Sequence, residues 1–150
     1  MNKYFLVGIL IATLWIRSDR SFAQLNEDHQ HETQGSSLQL NHGQKWQTDQ
    51  HTYHSIQLME SSVEKFQEAS SPSPEVYQKL GDELGKQLKT LIAGCTMEGA
   101  AHTQLHRFIE RLDYPIKELS KAEKANMQAF EQISKELKIF HDFFEYLPKN

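Results

Sequence analysis

One twelve-residue stretch of the chain, CTMEGAAHTQLH, carries side chains that bind soft metal ions. It contains Cys95, which is the chain's only cysteine, together with Met97, His102 and His106. The two histidines stand four residues apart, so on a helix they share one face and both can reach the same ion. A thiolate, a thioether and imidazoles form a soft donor set that suits Cu(I), whereas Zn(II) accepts cysteine and histidine but seldom methionine.

Four segments have the apolar spacing of amphipathic helices, with hydrophobic residues three and four positions apart. Ser73 before Pro74 predicts the start of the second helix, in which Gly81 and Gly85 either weaken the helix or permit a neighbour to approach closely. Short connections between four helices predict an all-α fold, an antiparallel up-down-up-down four-helix bundle over residues 47–150. The first expected helix covers about residues 48–69, and the second runs from 74 to 94 or 95. The third begins between 96 and 99 and ends near 119, and the fourth covers about 122–146.

Alternating helix direction would gather the candidate ligands at one end of this bundle. The start of the first helix, the corner between the second and third, and the end of the fourth all lie there. Thr96 is the expected cap of the third helix at this corner. Three further histidines then join the corner as candidates to complete the coordination. The candidate metal ligands are Cys95, Met97, His102, His106, His54, His51 and His141.

Each of these residues also has an ordinary structural interpretation, which the sequence leaves open. His102 lies on the apolar stripe, where a histidine commonly hydrogen-bonds to a carbonyl or carboxylate. Cys95 and Met97 can be plain hydrophobes at a loop. The histidines near helix ends can be solvated, and His141 is well placed beside a C-terminal helix dipole.

The N-terminal region predicts export. A basic start, an apolar run from Tyr4 to Ile16 and small residues before Gln24 are typical of a cleaved signal peptide over residues 1–23. The charged stretch at residues 17–20 before the cleavage site leaves an uncleaved anchor as the alternative. Residues 24–46 are polar and predict a disordered tether that includes His29 and His31. We expect a periplasmic or secreted protein with no stable membrane insertion after cleavage. In that compartment a lone cysteine is buried, bound to metal or paired with a second copy as a homodimer.

Charge and motif content disfavour several functions. Residues 1–23 carry three basic side chains and one acidic, so their removal takes the formal net charge from −4 to −6. An acidic chain without a visible basic face argues against a nucleic-acid partner. The chain has no C-x-x-C-H haem-attachment motif. No glutamate precedes His102 or His106 by three residues, as a di-iron bundle requires. Nothing suggests an oxyanion hole or substrate cleft, so we do not expect an enzyme.

The cysteine-containing stretch is similar to a known family signature. Residues 95–106 resemble the C-T-M-x-G-x-x-H-x-x-L-H signature of small exported helical proteins from Bacteroidetes, an uncharacterised family. Residues 40–46, LNHGQKW, resemble the L-N-x-G-x-K-W lead of the same group. The resemblance covers about residues 38–145 and departs at 107–109, where the relatives tend to carry a tryptophan. It implies that the Cys/Met/His corner matters, in proteins that often accompany heavy-metal handling systems.

These observations predict an exported protein that binds a transition-metal ion, with copper as the first candidate and zinc as the second. It would act as a buffer, sensor or carrier, in company with an envelope metal-export system. The alternative is a helical interaction module that binds a protein partner and no metal, with Cys95 as a core residue. The sequence alone leaves the metal, its affinity and the oligomeric state open.

Overall fold

The computed structural model describes residues 37–68, 70 and 72–148, and the predicted signal peptide and residues 24–36 of the predicted tether lie outside them. The described residues form four helices and two strands of two residues each. No helix among them is long and apolar enough to cross a membrane. The prediction of an all-α four-helix fold is confirmed. The elements are β1 (Trp46–Gln47), α1 (Gln50–Gln67), α2 (Pro74–Gly94), α3 (Gly99–Ser120), α4 (Met127–Phe143) and β2 (Phe144–Glu145).

Capping residues explain where the helices begin. Asp49 precedes α1, and its Oδ1 accepts a hydrogen bond from the backbone N–H of Thr52 at 2.6 Å. Pro74 occupies the start of α2, as its position after Ser73 predicts. The fourth helix begins later than the expected residue 122, because the Asn126 side chain accepts from Ala129 N–H at 3.1 Å and caps the helix there.

Neighbouring helices make contact in opposite residue order. Along α1 and α2, His51 lies against Gly94 at one end and Phe66 packs on Tyr77 at the other. Between α2 and α3, Gly81 lies against the backbone of Ser120. The end of α2 therefore lies beside the start of α1, and the start of α2 beside the end of α3.

The same opposite order holds between α4 and its neighbours. Arg111 of α3 pairs with Glu136 of α4, while Phe108 packs on Phe140 further along. Trp46 of β1 pairs in parallel with Phe144 of β2, which joins the entry to α1 with the exit from α4. The α2–α3 corner (residues 95–98) thus lies at the same end of the molecule as these two strands, since Asp49 contacts Thr96.

The core lies between the four helices. On α3 the buried residues differ from the predicted apolar stripe, which includes His102 and Ile109. The buried residues of that helix include Leu105 and Phe108 and also one polar side chain, Gln104. His102, which the stripe places in the core, is half-buried, and Ile109 is half-buried as well. The helix is rotated so that its most buried line runs through Phe108. The predicted core position of His102 is therefore wrong, because Gln104 and Phe108 occupy the inward face.

The C-terminal part of the predicted tether is folded onto the helices, which corrects its boundary at residue 46. Leu38 is buried, the Gln39 N–H donates to Gln104 Oε1 at 3.0 Å, and Trp46 Nε1–H donates to the Gln39 carbonyl. A tight turn between them has positive φ at His42 and Gly43, a conformation that glycine adopts without strain. Burial of Leu38 and these hydrogen bonds offset the ordering entropy that the polar composition suggested would dominate.

Candidate metal centre

The structure brings His102 and His106 together at the start of α3. The helix begins at Gly99, whose positive φ of 62° reverses the chain after the α2–α3 corner. His102 and His106 lie on successive turns, with their ring centroids 4.5 Å apart and their Nε2 atoms 3.0 Å apart. His106 is exposed and His102 half-buried, so solvent reaches the pair. In the absence of an ion, one Nε2–H donates to the other Nε2 lone pair.

The separation of the two nitrogens matches the geometry of two ligands on one ion. Imidazole nitrogens bind Zn²⁺ at about 2.0–2.1 Å. Two such bonds at roughly 90–110° place the nitrogens about 2.9–3.4 Å apart. The observed Nε2–Nε2 distance of 3.0 Å falls in this range. To bind an ion, the two rings would keep about this separation and turn so that both Nε2 lone pairs point at the ion.

The two sulfur atoms predicted to join this pair lie in different surroundings. Cys95 is a free, half-buried cysteine that follows the last residue of α2 and packs against the core. Met97 is buried, with 8% of its surface exposed, and belongs to the hydrophobic core. Their roles as metal ligands stay predictions. The Met97 side chain already packs as the ordinary interpretation of a loop-covering hydrophobe expects.

The remaining histidines do not converge on His102 and His106. His51 Nε2 lies 3.0 Å from the carbonyl of Thr90, so this nitrogen carries the proton and donates it. The His51 ring covers Gly94, which leaves no room there for a side chain. The Thr90 carbonyl lies about one turn before the end of α2 at Gly94, so this hydrogen bond ties the start of α1 to the end of α2.

His141 and His54 are also placed apart. His141 Nε2 donates to Glu60 Oε1 at 2.7 Å between α4 and α1, and the ring packs edge-on against Tyr53. His54 is exposed on α1. Within residues 37–148, where the structure describes them, no three His, Cys, Asp or Glu side chains lie close enough to hold a metal ion. Of the predicted ligands the structure brings His102 and His106 together, while His51, His54 and His141, predicted to complete the coordination, lie apart from them.

Asp49 is the residue of this region that sequence reasoning missed. Its Oδ1 caps α1, while its Oδ2 accepts hydrogen bonds from the N–H of Thr96 and from the Thr96 hydroxyl at 2.8 Å. Thr96 therefore does not cap α3, and Glu98 precedes that helix without a side-chain cap. Although partial burial opposes ionisation, the hydrogen bonds from Thr52 and Thr96 hold the pKa of Asp49 below its usual range. An aspartate directly before an apolar helical stripe is a signal that finds the cap but not the contact with Thr96.

An open cleft of about 790 Å³ lies beside the α2–α3 corner. Polar groups at the start of α1 form one wall, and Met97, Tyr146 and Leu147 contribute apolar surface. Leu147 is 61% exposed. None of the candidate histidines lines this cleft. The cleft and the imidazole pair are therefore two distinct features of the same end of the molecule.

Comparisons with known proteins add no further constraint on this site. The chain matches no family model, and the curated proteins and solved structures compared with it show no significant similarity. The geometry of the described residues is thus the ground for any functional conclusion.

Proposed function

We propose that the protein binds a transition-metal ion through His102 and His106, with copper as the first candidate and zinc as the second. In this proposal it acts as a periplasmic or secreted buffer, sensor or carrier beside a metal-export system. The observation that supports it is the 3.0 Å separation of two solvent-accessible Nε2 atoms. Two imidazoles already held close together lose less freedom on binding than two distant ones, so more of the coordination energy appears as affinity.

Copper is favoured by the nature of the donors. Imidazole suits copper, zinc and nickel, and among divalent first-row metals a given site of this kind binds Cu²⁺ most strongly. The thiolate of Cys95 was predicted to favour Cu(I), but Cys95 does not group with the pair in the structure, so the preference for copper rests on the imidazoles. Zinc remains the second candidate because it accepts the same nitrogen and sulfur ligands.

The proposal is tested by titrating the purified protein with Cu(I), and separately with Zn(II), against a competing chelator. In a His102→Ala/His106→Ala variant we expect affinity to fall by more than about 100-fold, since loss of a mere hydrogen-bond partner of a ligand costs about 10- to 100-fold. The matched control is His29→Ala/His31→Ala, which removes two imidazoles from the N-terminal region. Unchanged affinity in the first variant, or an equal loss in the control, would overturn the proposal.

A second candidate function is a helical module that binds a protein partner, and the cleft beside the α2–α3 corner favours it. Met97, Tyr146 and the exposed Leu147 give this cleft apolar surface at the end of the bundle. Thermal unfolding separates the two functions. A metal at 100 times its dissociation constant stabilises the native state by about 2.7 kcal/mol. An unchanged melting temperature with and without chelator favours the module instead.

A further inference from the structure

We infer that one metal ion joins two copies of this chain, each contributing His102 and His106. This inference rests on the function proposed above and adds a partner to it. A structural zinc site is almost always four-coordinate and tetrahedral. One imidazole pair supplies two of the four ligands, and the part of the chain that the structure describes offers no third His, Cys, Asp or Glu beside it. A second identical pair completes the set.

The position of the pair allows a second copy to reach it. His106 is exposed, and both residues lie in the first two turns of α3 rather than inside the bundle. A two-fold axis through the ion places the same two residues of each copy around it, which is the arrangement of an isologous dimer. A tetrahedral zinc site places two nitrogen ligands about 3.3–3.4 Å apart. The two Nε2 atoms of one copy lie 3.0 Å apart, so a small opening of the pair lets them occupy one edge and leaves the opposite edge for the other copy.

The surface beside the pair contributes an apolar contact. Gly81 packs on Ser120 and Gly85 on Ile116, and this register, continued along the helices, brings Ile92 to the level of Ile109, one turn from His106. Ile92 is 49% exposed. In the inferred dimer the exposed Ile92 of each copy adds apolar surface near the level of the shared site. One isoleucine from each copy buries far less than the roughly 1,200 Å² of a stable interface, so we expect the metal to be required for the dimer.

The net charge of the chain also makes the dimer depend on the metal. The chain carries a formal net charge of −4, or −6 once residues 1–23 are removed, so two copies repel each other at low ionic strength. A divalent ion at the axis adds positive charge where the copies meet. The dimer should therefore appear with metal and disappear with chelator, whereas a disulfide through Cys95 would respond to reductant.

Sedimentation velocity with the purified protein and Zn(II) tests the inference, because zinc has no redox chemistry and does not oxidise Cys95. We expect a twofold increase in mass at half a zinc ion per chain, and reversal by chelator. His106→Ala, which alters an exposed side chain, should remain monomeric with zinc. Cys95→Ser should still dimerise, and Ile92→Ser should dimerise more weakly.

The outcomes separate this inference from the function on which it rests. A monomer that binds one zinc ion through His102 and His106 overturns the dimer and leaves the metal-binding proposal standing. No zinc bound at these residues overturns the zinc-joined dimer, and it overturns the metal-binding proposal as well when Cu(I) also fails to bind them. A zinc-dependent dimer that persists in His106→Ala also overturns the inference, since another site then joins the copies. Circular dichroism of each variant confirms that it is folded before its mass is interpreted.

Discussion

Helices α2 and α3 approach each other closely at Gly81, which makes a sharp prediction for Gly81→Ala. A Cβ added there would lie 2.3 Å from the backbone nitrogen of Ser120 and 2.7 Å from the carbonyl carbon of Leu119. Because these are backbone atoms, the contact is relieved only if the two helices separate. Gly85→Ala is the matched control in the same helix, since its Cβ would meet Ile116 Cγ2 at an ordinary 3.7 Å.

The expected free energies follow from two opposing effects. Replacing glycine by alanine within a helix stabilises it by about 1 kcal/mol. Overpacking costs about 1–3 kcal/mol, and the backbone contact at Gly81 puts that cost at the upper end. We therefore expect Gly81→Ala to destabilise the protein by about 2 kcal/mol and Gly85→Ala to stabilise it by about 1 kcal/mol. The two variants should differ by about 3 kcal/mol in free energy of unfolding.

Urea unfolding followed by circular dichroism measures this difference. With a slope of about 1–3 kcal/mol per molar urea, Gly81→Ala should lower the midpoint by about 1 M and leave the slope unchanged. If both alanine variants are stabilised equally, α2 and α3 do not approach each other closely at this point. The register that places the α2–α3 corner and the start of α3 would then be incorrect.

Two further predictions concern the ion pair and the capping aspartate of this fold. Arg111→Ala should destabilise the protein by about 3 kcal/mol, since it leaves the buried Glu136 carboxylate without its bidentate partner. Arg111→Met/Glu136→Leu should be nearly neutral, because it removes both charges. Equal losses in free energy of unfolding for the single and double variants, measured by urea unfolding, would contradict this. For Asp49, whose pKa is lowered, the stabilisation from its charge is present above the usual aspartate pKa and is lost as pH falls through the lowered value. The advantage of the native protein over Asp49→Asn should therefore shrink on acidification, and a stability difference that does not change between neutral pH and strong acid would refute this role.

The fold was predictable because its signals are local. Apolar spacing identified all four helices, and the start of α2 follows from Ser73 and Pro74 alone. The structure differs where a polar residue acts through a contact. Asn126 begins α4 later than the apolar pattern indicates, and Leu38 anchors a segment whose composition is that of a tether. In both cases one specific interaction outweighs the average character of the surrounding residues.

In the candidate site, too, contacts within one helix were predictable and contacts between helices were not. The His102–His106 pair depends on helix periodicity within one element, so spacing alone predicted it. Convergence of the other histidines required more than a shared end of the bundle, because a ring nitrogen hydrogen-bonds to the nearest suitable partner. His51 donates a hydrogen bond to the carbonyl of Thr90, and His141 donates one to Glu60. Helix direction fixes which ends meet, but the rotation of each helix decides which side chains face one another, and that rotation depends on packing around residues such as Phe108. Among the described residues a metal at His102 and His106 finds two ligands, and in the inferred dimer the second copy supplies two more.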